Sequence, residues 1–253
     1  VDFHTPMTAL LKKFPEKNLC GNDRVHPGQP GHFIMAALVL KALGETPLVA
    51  ETVIRADKAS AEMKNATVTD FRKENGGIRF TYTPACLPYP ATGYYKTVDA
   101  GLYPVTDTLN REMLTVSGLA DGRDQLKAAG KVIGTFSAAQ LAKGINLALL
   151  ATPSRKIADE AAKVNGKRHQ VIQALRGIKQ TDIIAAREKG DPANLESAVA
   201  AAEKWLAKQA KSPHVKYYTY VVNKYKKDKP DEAKFRKQLP ELTAELYKTA
   251  KPR

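Results

Sequence analysis

The sequence predicts an α/β protein in three consecutive parts: residues 1–47, a β-rich stretch over 48–152, and a helical, basic stretch over 153–253. Three observations predict it. Apolar residues recur at helical spacing in the first and last parts. Between them, short β-branched and aromatic runs are punctuated by Gly, Asn, Asp and Pro. The composition, 43% hydrophobic and 26% charged, is that of a chain with a packed core rather than a disordered one.

In chain order, Val1 to Phe3 reads as the end of a buried strand. Met7, Leu10 and Leu11 keep i, i+3, i+4 spacing and predict a helix over Pro6 to Lys13. Pro15, Gly21 and Asn22 mark a loop. A second helix is expected from Pro30, which suits a first turn because its missing N–H is not needed there, to Leu43, with Gly44 beyond its end. Its apolar residues (Phe33, Ile34, Leu38 and Leu40 among them) surround most of the circumference, which predicts burial against a sheet.

Strands are expected at Thr52–Arg55, Ala66–Val68, Ile78–Tyr82, Leu114–Val116 and Val132–Phe136, paired antiparallel, with Asn75-Gly76-Gly77 as one turn. Ser137 caps a short helix that Gly144 closes. From Pro153 on the pattern is helical. One helix is predicted to start at Pro192 and end at Pro213, Lys224 to Lys229 reads as a lysine-rich link, and a last helix runs over Asp231 to Tyr247 despite Pro240.

Lys and Arg outnumber Asp and Glu by 40 to 26, for a formal charge of +14. Such an excess raises a polyanion as partner, but a solvated basic surface explains it more simply, and nucleic acid is not the expected ligand. No apolar run is long enough to span a bilayer. The chain opens on Val1 without a charged, apolar and small-residue leader. Cys20 and Cys86 are too few for a disulfide scaffold; a pair and two separate thiols both stay open. His4, His169 and His214 stand alone, no Gly-rich phosphate loop occurs, and neither a metal nor an organic cofactor is expected. Tyr217, Tyr218, Tyr220 and Tyr225 interleave with Lys216, Lys224, Lys226 and Lys227; packed tyrosines beside solvated lysines are the simpler reading, and stacking on bases or sugars the other. Trp205 falls on the apolar stripe of its helix.

The segment that carries chemistry is Gly21-Asn22-Asp23-Arg24-Val25-His26-Pro27-Gly28-Gln29-Pro30-Gly31-His32. Pro27 pushes His26 toward extended backbone, and Gly28 and Gly31 allow a tight turn into the following helix. Asp23, three residues before His26, can accept a hydrogen bond from one imidazole nitrogen. That fixes the tautomer while the other nitrogen takes a proton from a nucleophile.

Asp23-Arg24-Val25-His26-Pro27-Gly28, followed by Gly31-His32, Met35-Ala36 and Leu40 to Gly44, closely resembles the last sequence block of the SGNH (GDSL-like) serine hydrolases. The resemblance implies that residues 1–47 are the C-terminal end of a three-layer α/β/α hydrolase domain. It implies that Asp23 is the triad acid and His26 the base, with His32 structural. It extends less sharply to about Pro153, where Leu114–Leu119, Val132–Ser137 and Leu141–Ala148 look like the β-rich extension of a bacterial subgroup. The implied activity is esterase or acylhydrolase action on a small-molecule, lipid or carbohydrate ester, with an acetylated carbohydrate as one such substrate and a secreted or periplasmic setting.

The sequence departs from the family where the nucleophile belongs. No Gly-Asp-Ser occurs, and Ser60, Ser117, Ser137, Ser154, Ser197 and Ser212 all follow His26, whereas the family places its serine first. Asn22 only mimics the family's oxyanion asparagine. The chain is therefore expected to hold the acid–base half of a triad and to be inactive, or nearly so, alone. The alternative is a non-catalytic protein whose basic surface binds a polyanion or a protein partner.

Overall fold

A computed structural model describes residues 1–253 other than 18, 22, 24, 45, 46, 75, 92, 94 and 253. The fold is mixed α/β with a helical C-terminal region. It forms two compact units, Val1–Glu160 with Ala250–Arg253, and Ala161–Thr249.

The first unit opens with helix α1 (His4–Lys13) and helix α2 (Gln29–Ala42). Val1 to Phe3 is not a strand: it pairs with none of the described strands, and Phe3 already has helical dihedrals as the N-cap of α1. Pro30 lies in the first turn of α2, and Gly44, just past its end, has φ +80°. The expected burial of α2 against a sheet is corrected. Ile34 and Ala37 are buried, but Ile34 packs in a helical cluster with Met7, Leu19, Tyr95, Val98 and Val105. Leu40, near the end of α2, and the C-cap residue Leu43 are exposed. The cluster is completed by two five-residue helices, α3 (Tyr95–Asp99) and α4 (Val105–Leu109).

Strands β1 (Leu48–Arg55), β2 (Ser60–Lys64), β5 (Arg111–Ser117) and β8 (Ile145–Asn146) form one sheet in the order β2-β1-β5-β8. β1 and β2 are antiparallel, but β1 and β5 run parallel, so the antiparallel expectation holds for only part of the sheet. The segment between β1 and β5, with β2, the next hairpin, α3 and α4, is long enough to serve as a crossover, which a parallel pair requires. Hairpins β3–β4 (Ala66–Glu74, Gly77–Pro84) and β6–β7 (Arg123–Ala128, Lys131–Ser137) flank it. Gly76 has φ +77° in the first turn; Asn75 lies outside the described residues. Ser137 accepts from the Gln140 N–H and Gln140 Oε1 from the Ser137 N–H, a reciprocal cap on α5 (Ala138–Lys143).

Alternation along β1 and β5 turns Ala50, Thr52 and Ile54, and Glu112, Leu114 and Val116, to one buried face. Glu112 is thus a carboxyl in a core position. Tyr82 donates to its Oε1 at 2.9 Å, and Oε2, like Thr52 Oγ1, has no partner among the described residues. The neighbouring Asn110 is fully paired: its Oδ1 accepts from the Tyr89 N–H, and its Nδ2 donates to the Tyr89 carbonyl and the Tyr95 hydroxyl.

The second unit contains most of α6 (Pro153–Arg187), whose first eight residues belong to the first unit, with α7 (Leu195–Lys208), α8 (Val215–Asp228) and α9 (Glu232–Thr249). Its core is Ile178, Ala185, Ala198, Ala201 and Tyr225. Three expectations are corrected here. α7 starts at Leu195, capped by Asn194, rather than at Pro192, and ends at Lys208 rather than at Pro213. Most of the Lys224 to Lys229 stretch is helix rather than link, because Val222, Tyr225 and Asp228 form a buried stripe beneath the lysines. Tyr225 donates to Asp182 at 2.7 Å, and Lys229 bridges Asp182 and Glu232. Pro240 sits inside α9; three residues on, the Thr243 hydroxyl donates to the Leu239 carbonyl and accepts from Arg168 Nε. Both cysteines are free thiols. Among the described residues, no helix is long and apolar enough to cross a membrane.

Burial raises the pKa of Glu112 above the ordinary carboxyl range, only partly offset by Tyr82. A carboxyl whose folded pKa is raised contributes stability at pH values below its unfolded pKa, and loses it as pH rises through the folded value. The expected outcome is that Glu112→Gln, which keeps an acceptor for Tyr82, gains thermal stability on the wild type as pH rises above the ordinary carboxyl pKa of about 4. Parallel melting curves across that range would contradict the assignment.

Candidate active site

The loop between α1 and α2 is built around one backbone carbonyl and one carboxylate. The carbonyl is that of Leu19, a buried residue. It accepts from the Gly28 N–H at 3.0 Å, and α2 is seated so closely on it that a Cβ at Gly31 would lie 2.2 Å from its oxygen. Gly21, with φ +68°, passes equally near the His26 carbonyl, where a Cβ would stand 2.6 Å from the oxygen. These two glycines are required by close approach, not by loop flexibility.

The carboxylate is that of Asp23. Its Oδ1 accepts from the backbone N–H of Val25 and of His26, each at 3.0 Å. Its Oδ2 is 2.6 Å from His26 Nδ1. The structure therefore brings together the two residues singled out by spacing. Hydrogen bonds from the His26 backbone N–H, the His26 ring and the Val25 N–H hold the Asp23 carboxyl well below the usual carboxylate range. An ionised carboxylate only accepts, so the proton of the shared bond belongs to His26 Nδ1 and the lone pair of the neutral ring lies on Nε2. The His26 side chain is 85% exposed and that of Asp23 54%, so Nε2 faces open solvent. Chemically this is an oriented base with its reactive nitrogen turned outward and no proton donor in place among the described residues.

None of the serines stands in as that donor. In the first unit, Ser117 Oγ donates to the Ile54 carbonyl, Ser137 caps α5, Ser154 is buried in the first turn of α6, and Ser60 begins β2. In the second, Ser197 and Ser212 accept backbone N–H groups of Asp191 and His214. Asn22 and Arg24 lie outside the described residues. His32 is exposed on the first turn of α2 and His4 begins α1. Among the described residues, no three His, Cys, Asp or Glu side chains converge as a metal site would need.

Sequence reasoning missed the Leu19 carbonyl, because backbone acceptors leave no mark in residue identity. It also missed Glu112, although the alternation Glu112, Leu114, Val116 places that carboxyl on the inward side of a strand and could have flagged it.

No protein-family model matches the chain, and no curated protein matches it. Among solved structures, the chain is similar to a gut microbial diltiazem-metabolizing enzyme, with a TM-score of 0.80 and 29% identity over 100% of this chain and 60% of that one. The chain thus spans about three-fifths of the length of the enzyme it resembles.

Two outcomes follow from the loop geometry. Gly31→Ala forces α2 off the Leu19 carbonyl and is expected to cost about 1–3 kcal/mol in urea unfolding, the usual penalty of overpacking. The Asp23 side-chain 13C resonance is expected to keep its ionised position through pH 4 to 3, where an ordinary aspartate, with a pKa of about 3.9, protonates. Titration of Asp23 at that ordinary value would mean that its three hydrogen bonds do not persist in solution.

Proposed function

We propose that this chain supplies the acid–base half of an SGNH-type serine hydrolase acting on small carboxylic esters. The observation that carries the reading is the Asp23–His26 pair: a bonded Nδ1, an Nε2 without a partner among the described residues, and a ring open to solvent. The likeness to a diltiazem-metabolizing enzyme supports it, since diltiazem carries an ester. The exposed apolar residues at the C-terminal end of α2, Leu40 and its C-cap Leu43, also support it, because uncovered apolar surface there suits a position against a further layer of the hydrolase domain.

In this reading a serine from outside the present chain approaches His26. Its Oγ attacks the ester carbonyl carbon as Nε2 removes the hydroxyl proton, and Asp23 stabilises the imidazolium without itself taking the proton. Collapse of the tetrahedral intermediate breaks the bond to the alcohol, which leaves with the proton from Nε2. Water then repeats the sequence on the acyl-enzyme, releasing the acid and restoring the serine. None of these steps calls on a cofactor.

The test is a comparison of two proteins with p-nitrophenyl acetate. The chain alone is expected to show no hydrolysis dependent on His26. A longer protein that adds the serine-bearing part is expected to turn over and to label with a fluorophosphonate, and His26→Ala in it should lower kcat by roughly 10³-fold or more. Turnover by the chain alone that His26→Ala abolishes would show that the nucleophile lies within it. An unlabelled, inactive longer protein would overturn the hydrolase reading.

A further inference from the structure

The strongest unassigned feature is a groove of about 350 Å³ on the second unit, between α6 and α8. Gln173, Arg176 and Gln180 line one wall, and Tyr217, Tyr220 and Lys224 the other. Helical periodicity accounts for the arrangement: positions three and four apart share a face, so each helix presents a row of polar or aromatic groups to the other.

The tyrosines of α8 divide into two sets. Tyr225 is buried and bonded to Asp182, and Tyr218 packs edge-on against Trp205 with ring centroids 5.0 Å apart. Tyr217 and Tyr220 are 61% and 60% exposed, and both line the groove. Arg176 is exposed and forms no ion pair among the described residues. Between the walls lies Gly177, where a Cβ would meet nothing within 4 Å. Packing does not require a glycine there, and mid-helix glycine is unfavourable compared with almost any other residue. What it provides is an open floor.

We propose that this groove binds an acidic oligosaccharide, one that carries a carboxylate on its sugar rings. The tyrosine faces stack on the apolar faces of the sugars. The amides of Gln173 and Gln180, which both donate and accept, match sugar hydroxyls. Arg176 takes the carboxylate through its planar pair of N–H donors; Lys224, across the groove, is held by Asp228 at 2.6 Å, which leaves Arg176 as the cation that meets the ligand. From Gln173 to Gln180 the wall spans roughly 10 Å at the helical rise, a length suited to about two sugar units.

Charge favours this ligand over single-stranded nucleic acid. Between Ala161 and Thr249, Lys and Arg outnumber Asp and Glu by nineteen to ten, so an anion is attracted. A nucleic-acid strand, however, needs an unbroken track of cations for successive phosphates. The adjoining groove, where Lys167 and Lys227 lie, is interrupted by Asp228, Glu241 and Glu245. Asp228 reaches the sugar groove too, but is paired there with Lys224, so a short ligand that sets one carboxylate on Arg176 meets less repulsion than a run of phosphates would.

The experiment is isothermal titration of the full chain with tetragalacturonate, a hyaluronan tetrasaccharide, neutral cellotetraose and (dT)8. At least one of the acidic sugars is expected to bind with a Kd of about 1 mM or tighter, and cellotetraose about tenfold more weakly. Gly177→Leu, which fills the floor with a residue better suited to a helix, should raise the melting temperature yet weaken binding about tenfold. Arg176→Gln, an exposed change, should weaken the acidic sugars without reducing thermal stability, and serves should Gly177→Leu fail to fold. The proposal is overturned if neither acidic sugar binds, if both variants bind as the wild type does, or if (dT)8 binds more tightly. The readout is independent of the hydrolase reading, because no outcome depends on His26 or on ester turnover.

Discussion

Asp23 does two jobs with one charge. Its Oδ1 gathers the backbone N–H groups of Val25 and His26 and so shapes the loop; its Oδ2 takes the ring N–H and so aims the histidine. The loop conformation and the orientation of the base are therefore the same fact. A neutral side chain at this position would weaken both together, since charge-assisted hydrogen bonds are the stronger class. The glycines on either side permit the arrangement rather than drive it: they clear the space that the Leu19 and His26 carbonyls occupy.

Much of this was readable in residue order. Pro30 and Gly44 delimit α2 within a residue or two, and the Asp23-x-x-His26-Pro27 spacing anticipates the bonded pair. Those features are local, and local geometry is what residue order encodes most directly. The failures are of another kind. β1 and β5 were each recognisable as strands, but whether two strands run parallel depends on the chain between them, which no short pattern records. The helices α3 and α4 are five residues each, too short to establish a period. The lysines from Lys224 to Lys229 masked a stripe that only Val222, Tyr225 and Asp228 reveal. In the candidate site, the acid and the base were legible while their exposure was not, because exposure is set by what does or does not pack above them.

The two units reflect different ways of handling polar groups. In the first, Glu112 sits among strand side chains with one oxygen unpartnered among the described residues, and burial raises its pKa. In the second, the buried Asp182 is fully engaged by Tyr225 and Lys229, and Lys229 is shared with Glu232. Residue type alone would have treated the two acids as equivalent.

Proline in the middle of α9 has a consequence for how that helix opens. Without an N–H at position 240, the Arg236 carbonyl loses its normal partner four residues on. The Thr243 hydroxyl reinforces the adjacent Leu239 carbonyl, and Arg168 ties that hydroxyl back to α6. Side chains thus reinforce α9 beside the one backbone bond that Pro240 removes, and amide exchange should find its earliest entry there, well before the remainder of the helical unit gives way.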